Sequence, residues 1–198
     1  MRVSQEDVQF AFKIIILGAG GVGKTCLFNR FCFNSFNFNT EMTIGINFHS
    51  NYLNTQITDE SGRKKEKYVV NAIFDLAGQD RFKPLIPRFI EGADGALLVF
   101  DSISYASFEQ LGYWYNELIK NIEDPTIPKI LVGSKSDLLE NSTKSQIVND
   151  YEIGEIIKEK KLDGFCRTSA LENYNVLEVF KDLTQLMLKH QKLEAMII

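Results

Sequence analysis

Apolar residues in this chain fall either into short uninterrupted blocks or into longer stretches where they recur every three or four positions. Ile14-Ile15-Ile16-Leu17, Ala96-Leu97-Leu98-Val99-Phe100 and Ile130-Leu131-Val132 contain no polar side chain, as expected of strands covered on both faces. The pattern predicts strands near 11–17, 46–57, 67–75, 95–100, 129–134 and 164–168, and helices near 24–33, 83–91, 106–121, 150–161 and 173–195. In the last helix Val176, Val179, Phe180, Leu183, Leu186 and Met187 share one face, which should pack on the sheet. Strands alternating with helices predict an α/β fold: about six mostly parallel strands with five helices on both faces. Between the second and third strands Asp59-Glu60-Ser61-Gly62 carries turn chemistry and no helix-length segment intervenes. That is too short for a parallel crossover, so this pair is read as an antiparallel edge hairpin.

Length and composition narrow the class. With 198 residues and 44% hydrophobic content the chain suits one domain over 1–198, with 1–10 read as an N-terminal extension and 190–198 as a C-terminal tail. A net charge of −4 gives no basic footprint for nucleic acid. The basic run Arg63-Lys64-Lys65-Glu66-Lys67 suits a solvated hairpin tip as well as a binding patch. Cys26, Cys32 and Cys166 have neither a C-x-x-C spacing nor an even count, so neither a zinc site nor a disulfide framework is expected. No apolar run reaches the length of a membrane span and no signal-peptide core is present. The expectation is a cytoplasmic monomer.

Gly18-Ala19-Gly20-Gly21-Val22-Gly23-Lys24-Thr25 follows the first predicted strand and opens the first predicted helix. The spacing G-x-x-x-x-G-K-[ST] lets backbone N–H groups curl around a phosphate chain, with Lys24 on the outer phosphates and the Thr25 hydroxyl on Mg²⁺. Cys26 continues the helix whose positive end faces the same phosphates. Gly18, Gly20 and Gly23 also satisfy the dinucleotide fingerprint, and Glu41 lies roughly twenty positions on, where that fold needs an acid. The segment before it, Phe33-Asn34-Ser35-Phe36-Asn37-Phe38-Asn39-Thr40, reads as loop, however, and not as the second buried strand.

A phosphate site of this kind needs an acidic group near Mg²⁺ at the end of a neighbouring strand. Asp75 closes the run Val69 to Phe74 and opens Asp75-Leu76-Ala77-Gly78-Gln79. In this motif the chain resembles the small GTPases of the Ras superfamily, from about Phe12 to about Lys189, and the P-loop NTPase fold of a small G domain is implied. The resemblance assigns Thr43, within Thr43-Ile44-Gly45, to the first switch as a Mg²⁺ ligand that senses the γ-phosphate. It assigns the Gly78 N–H to the same phosphate and Gln79 to the attacking water. The implied reaction is GTP hydrolysis to GDP by positioning and charge stabilisation. Glu41 stands where some relatives carry an arginine in cis, so slow intrinsic turnover is expected.

At the base end, Ser134-Lys135-Ser136-Asp137 resembles the family's N-K-x-D. Asp137 would take the two N–H donors of guanine, and Lys135 would lay its stem along the base. Ser134 replaces the usual Asn, which should remove the amide link from base to P-loop. Thr168-Ser169-Ala170 resembles the last family motif, placing Ser169 and Ala170 beside the guanine carbonyl. Phe36 lies where an aromatic covers the base, or else is a loop aromatic tucked into the core.

Ile44-Gly45-Ile46-Asn47-Phe48 looks like the I-G-x-D-F element of the Rab branch. Phe48, Phe74 and Phe89 fall on three aromatic positions through which Rab proteins meet effectors, though core packing would also explain them. Pro84 and Pro87 should shorten or stiffen the second switch. No prenylation cysteine closes the sequence, so no lipid anchor is expected and any membrane contact would come through partners. The apolar tail reads as a fraying helix end or as a patch for a membrane or partner. The function expected is a Rab-like molecular switch cofactored by Mg²⁺. The alternative is a guanine-nucleotide-binding module that hydrolyses little and acts as a scaffold. A P-loop kinase or ATPase is disfavoured by Asp137.

Overall fold

The computed structural model describes residues 7–38, 43–58, 61–78, 80–143 and 146–198. Gln79 and Glu41 lie outside them. Alternation along the strands builds two cores. In β1 (Val8–Leu17), Ile14 and Ile16 face one helical layer while Ile15 and Leu17 face the other. The same division separates Leu97 and Val99 from Leu98 and Phe100 in β4 (Gly95–Asp101). All of these are fully or nearly fully buried, which is why the blocks carry no polar side chain.

The remaining strands are β2 (Ile46–Thr58), β3 (Lys64–Leu76), β5 (Lys129–Ser134), β6 (Gly164–Arg167) and β7 (Ala195–Ile197). They form one sheet in the order β6-β5-β4-β1-β3-β2-β7. β1 lies parallel to β3 and β4, and β5 parallel to β4 and β6. Helices α1 (Lys24–Phe33) and α6 (Val176–His190) cover one face. On the other lie α2 (Ile86–Ile90), α3 (Tyr105–Glu109), α4 (Leu111–Asn121) and α5 (Asp150–Lys160).

The α/β architecture agrees with the sequence expectation, with four corrections of detail. First, the helix expected at 106–121 is divided at Gln110, where Tyr113 N–H donates to Gln110 O in a tightened three-residue turn. That makes six helices among the described residues where five were expected. Second, the second-switch helix is shortened as Pro84 and Pro87 imply: Asp80–Leu85 is a 3₁₀ turn containing Pro84, and α2 keeps five residues. Third, β1 begins at Val8, inside the stretch read as an N-terminal extension, and pairs there with Tyr68.

The fourth correction concerns the tail. α6 stops at His190 because Lys192 adopts a positive φ of 57° and the chain turns back, with Leu193 N–H bonded to Leu188 O. Residues read as a fraying helix end become β7, antiparallel to Thr55–Ile57 of β2. Thr55 donates to Met196 O, and the Gln185 amide closes both Ala195 O and the Ile197 N–H. The sheet therefore has seven strands where six were expected. β2 is not its edge over that stretch.

Candidate functional site

Four strands, β1, β3, β4 and β5, end together on one side of the sheet, and the loops that follow them make the site. Gly18 leaves β1 with φ 150° and passes so close to β4 that a Cβ would stand 2.1 Å from Val99 O. Only glycine can turn there. The loop then feeds α1, and Lys24, 5% exposed, donates to Gly18 O and Ala19 O at 2.7 Å each. Burial pushes its ammonium down to about 8, against the opposing pull of the Asp75 carboxylate.

Asp75 ends β3 beside this lysine. Its Oδ2 accepts from Thr25 Oγ1 at 2.7 Å and from Asn47 Nδ2 at 3.0 Å. The Thr43 hydroxyl stands 2.5 Å from that of Thr25. The other carboxylate oxygen, Oδ1, is buried with no protein partner, and burial raises the Asp75 pKa despite these bonds. An anionic oxygen is costly to bury uncompensated; its sister Oδ2 is bonded by the Thr25 hydroxyl, which in turn meets that of Thr43. The set is all oxygen, of the kind that holds Mg²⁺ with one carboxylate and substrate phosphates rather than a protein cage. Accordingly no cluster of three or more His, Cys, Asp or Glu suited to a metal occurs among the described residues. The residues present thus fit the implied Mg²⁺.

Gly78 crosses over the P-loop. A Cβ there would lie 2.5 Å from Gly18 O, from the Ala19 carbonyl carbon and from Lys24 Nζ, so any side chain would wedge the second switch away from the phosphate loop.

At the other end, β5 delivers Ser134. Its hydroxyl donates to Val22 O or to Phe100 O, the latter at 2.9 Å. Ser134 carries no amide, but its hydroxyl reaches the P-loop backbone at Val22 O. A Cβ on Gly23 would lie 3.6 Å from Ser134 Oγ and 3.9 Å from Lys135 Cε, so both motifs meet at this point. Lys135 takes a positive φ of 56° and pairs with Asp101 at 2.7 Å. Asp137 accepts from Ser169 Oγ at 2.6 Å, and Thr168 N–H bonds Gly133 O at 2.9 Å, joining the two base-end motifs. Phe36 is half-buried, with its ring 5.0 Å from that of Phe38 and perpendicular to it. Cys26 and Val22 lie on α1 and in the loop, and Gly20 and Gly21 are exposed at its tip.

Phe48, Phe74 and Phe89 form a contiguous row, with ring centroids 4.9 and 6.4 Å apart. Phe48 is 57% exposed and the other two half-buried.

Three neighbours of the site have no site role in the sequence reading. Asp101 ends β4 as Asp75 ends β3, a parallel that signals its position. Asn47 faces Asp75 across the hairpin, visible once the register is known. Arg30, in the last turn of α1, reads from sequence only as a cation at a helix C-terminus.

A glycine-rich loop between a strand and a helix, with a carboxylate at the end of the next strand, defines a P-loop nucleotide-binding protein. The Ras family model matches residues 13–189. The chain is 38% identical to the Ras-related protein RABA1b of Arabidopsis thaliana over 92% of its length and 78% of that protein's. It is 36% identical to Rab11E of Lotus japonicus over the same shares. To Rab-11A of Dictyostelium discoideum it is 35% identical, over 92% of this chain and 79% of that one. The chain belongs to the Ras family of small GTPases, on its Rab branch.

Proposed function

We propose that this chain is a Mg²⁺-dependent switch that binds GTP, hydrolyses it slowly and changes its partner surface when the γ-phosphate leaves. The observation that carries the reading is the buried Asp75 carboxylate, with Oδ1 unpartnered and Oδ2 bonded by the Thr25 hydroxyl, which in turn meets that of Thr43, because it joins the P-loop, the first switch and the second in one oxygen cluster. Thr25, Thr43 and Asp75 would hold Mg²⁺. When bound, the ion neutralises charge on the phosphates.

This chain's own residues supply the rest. Lys24 offers a buried ammonium to the outer phosphates, and the P-loop N–H groups of Gly20, Gly21, Val22 and Gly23, with Cys26 behind them, orient the chain. Gly78 stays side-chain-free so that its N–H can approach the γ-phosphate. Gln79 orients the attacking water, as the family resemblance implies. Asp137, Lys135, Ser169 and Ala170 select guanine, with Ser134 beneath and Phe36 at the edge. The row Phe48, Phe74 and Phe89 is the surface for effectors and regulators, and loosening Thr43 and Gly78 changes its shape.

Single-turnover hydrolysis with and without Mg²⁺ tests this. Phosphate should be released from the GTP complex over minutes to hours, faster with Mg²⁺, and Gln79→Leu should abolish release while leaving GTP binding intact. GTP retained without any phosphate release, unaffected by Gln79→Leu, would instead establish the non-hydrolysing scaffold.

A further inference from the structure

Arg30 holds together two segments that border the base. Its Nε donates to Ala170 O at 2.7 Å and one terminal nitrogen to Leu171 O at 3.3 Å. The other terminal nitrogen lies 3.2 Å from both Asn34 O and Asn34 Oδ1. Ala170 belongs to the loop assigned to the guanine carbonyl. Asn34 is the left-handed cap that ends α1, with φ 48° and its N–H on Arg30 O, and Phe36 follows two residues later. A planar guanidinium is suited to this task, since its fixed fork fills carbonyls on two sides at once where an ammonium offers a single point.

We infer that Arg30 is a positioning residue for the guanine site: it sets the base-reading loop and the root of the first switch relative to one another, and so sets how long the nucleotide stays. The inference rests on the assignment of the 168–170 loop to guanine. Arg30 itself touches neither base nor phosphate. It holds the carbonyl side of the Ala170 and Leu171 peptides, which leaves the N–H side of the loop free to face the base. Its bonds to Asn34 fix where the chain departs towards Phe36. Loss of Arg30 frees both walls of the base site together, without touching the Lys24, Thr25 and Asp75 cluster at the other end.

The test is the dissociation rate of fluorescent GDP from the full chain, measured in Mg²⁺ and again after chelation. Arg30→Ala should speed release in Mg²⁺ by roughly ten- to a hundredfold, the range for lost charged hydrogen bonds. Arg30→Lys should fall between it and wild type. The further acceleration caused by chelating Mg²⁺ should keep its wild-type factor in both variants, because the phosphate end is unchanged. A general loosening of the fold would shrink that factor, and such a result overturns the inference. So does a wild-type release rate in Arg30→Ala or, should that variant not fold, in Arg30→Lys. A wild-type chain that retains no GDP at all would overturn the proposed function and this inference with it.

Discussion

The two ends of the cleft are finished to different degrees. At the base end each side chain already has a protein partner: Ser134 the Val22 carbonyl, Lys135 the Asp101 carboxylate, Asp137 the Ser169 hydroxyl. At the phosphate end, Thr25, itself bonded to Thr43, and Asn47 converge on Asp75 and still leave Oδ1 buried and unpartnered, beside a lysine whose ammonium burial disfavours. The base end is a preset template. The phosphate end keeps a buried oxygen without a partner, which on the proposed function a bound Mg²⁺ would relieve. Changes at the phosphate end should therefore act through charge and pH, and changes at the base end through shape and selectivity.

The contrast breaks most visibly at Lys24. Replacement by alanine removes one partner of a buried charge pair, an effect of about 2–5 kcal/mol, so GDP affinity should fall by roughly two to three orders of magnitude in a titration. Asp137→Ala should act differently, lowering the preference for GTP over ATP by about ten- to a hundredfold, as for loss of a bidentate base contact, in a competition assay.

Acidity separates the ends further. With its ammonium held to about 8, Lys24 loses its proton above that pH, and GDP affinity should drop by about tenfold per pH unit beyond it. The stability of the nucleotide-free chain moves the other way. Between about 8 and 10.5 the unfolded chain binds the lysine proton that the folded chain releases, so unfolding free energy from this group rises with pH across that window. Affinity that stays flat to pH 9.5 would show that Lys24 does not face the phosphates.

Smaller effects sharpen the picture. Ser134→Ala orphans a carbonyl of the P-loop, a loss of about 1 kcal/mol, which should weaken GDP binding roughly fivefold. Gln185→Ala, which releases β7 far from the nucleotide, should lower the melting temperature by about 2–4 °C, a 1 kcal/mol effect for a chain of this size. GDP affinity should not change.

Much of this was legible in the sequence because it is local. The P-loop needs its glycines and lysine within eight residues, and strands buried on both faces must be unbroken apolar blocks, so β1, β4 and β5 announce themselves. Asp75 and Asp137 could be found because each lies at or just past the end of a strand. What escaped was set by register or by distance along the chain. Asn47 meets Asp75 through a hairpin pairing, and Arg30 meets Ala170 across 140 positions. Ser134 was read for the amide it lacks, and its hydroxyl bond to Val22 O became visible only in the fold, where the close approach of Gly23 brings the loop to it. β7 was hidden because a three-residue strand is too short to show any period. Its rungs are completed by Thr55 and Gln185.

The way β7 docks has a mechanical side. Ile198 N–H bonds Asn54 O, midway along the strand that begins at Ile46, next to the first switch. Tension applied to the last residue does not simply unwind α6. It is carried by three rungs into β2, and from there across the hairpin to β3 and the aspartate at its end. A reporter attached after Ile198 would thus hang from the hairpin, mid-strand, and a pull on it would tug on the frame that carries Thr25's acidic partner as well as on α6, whose Lys181 holds Ile198 O.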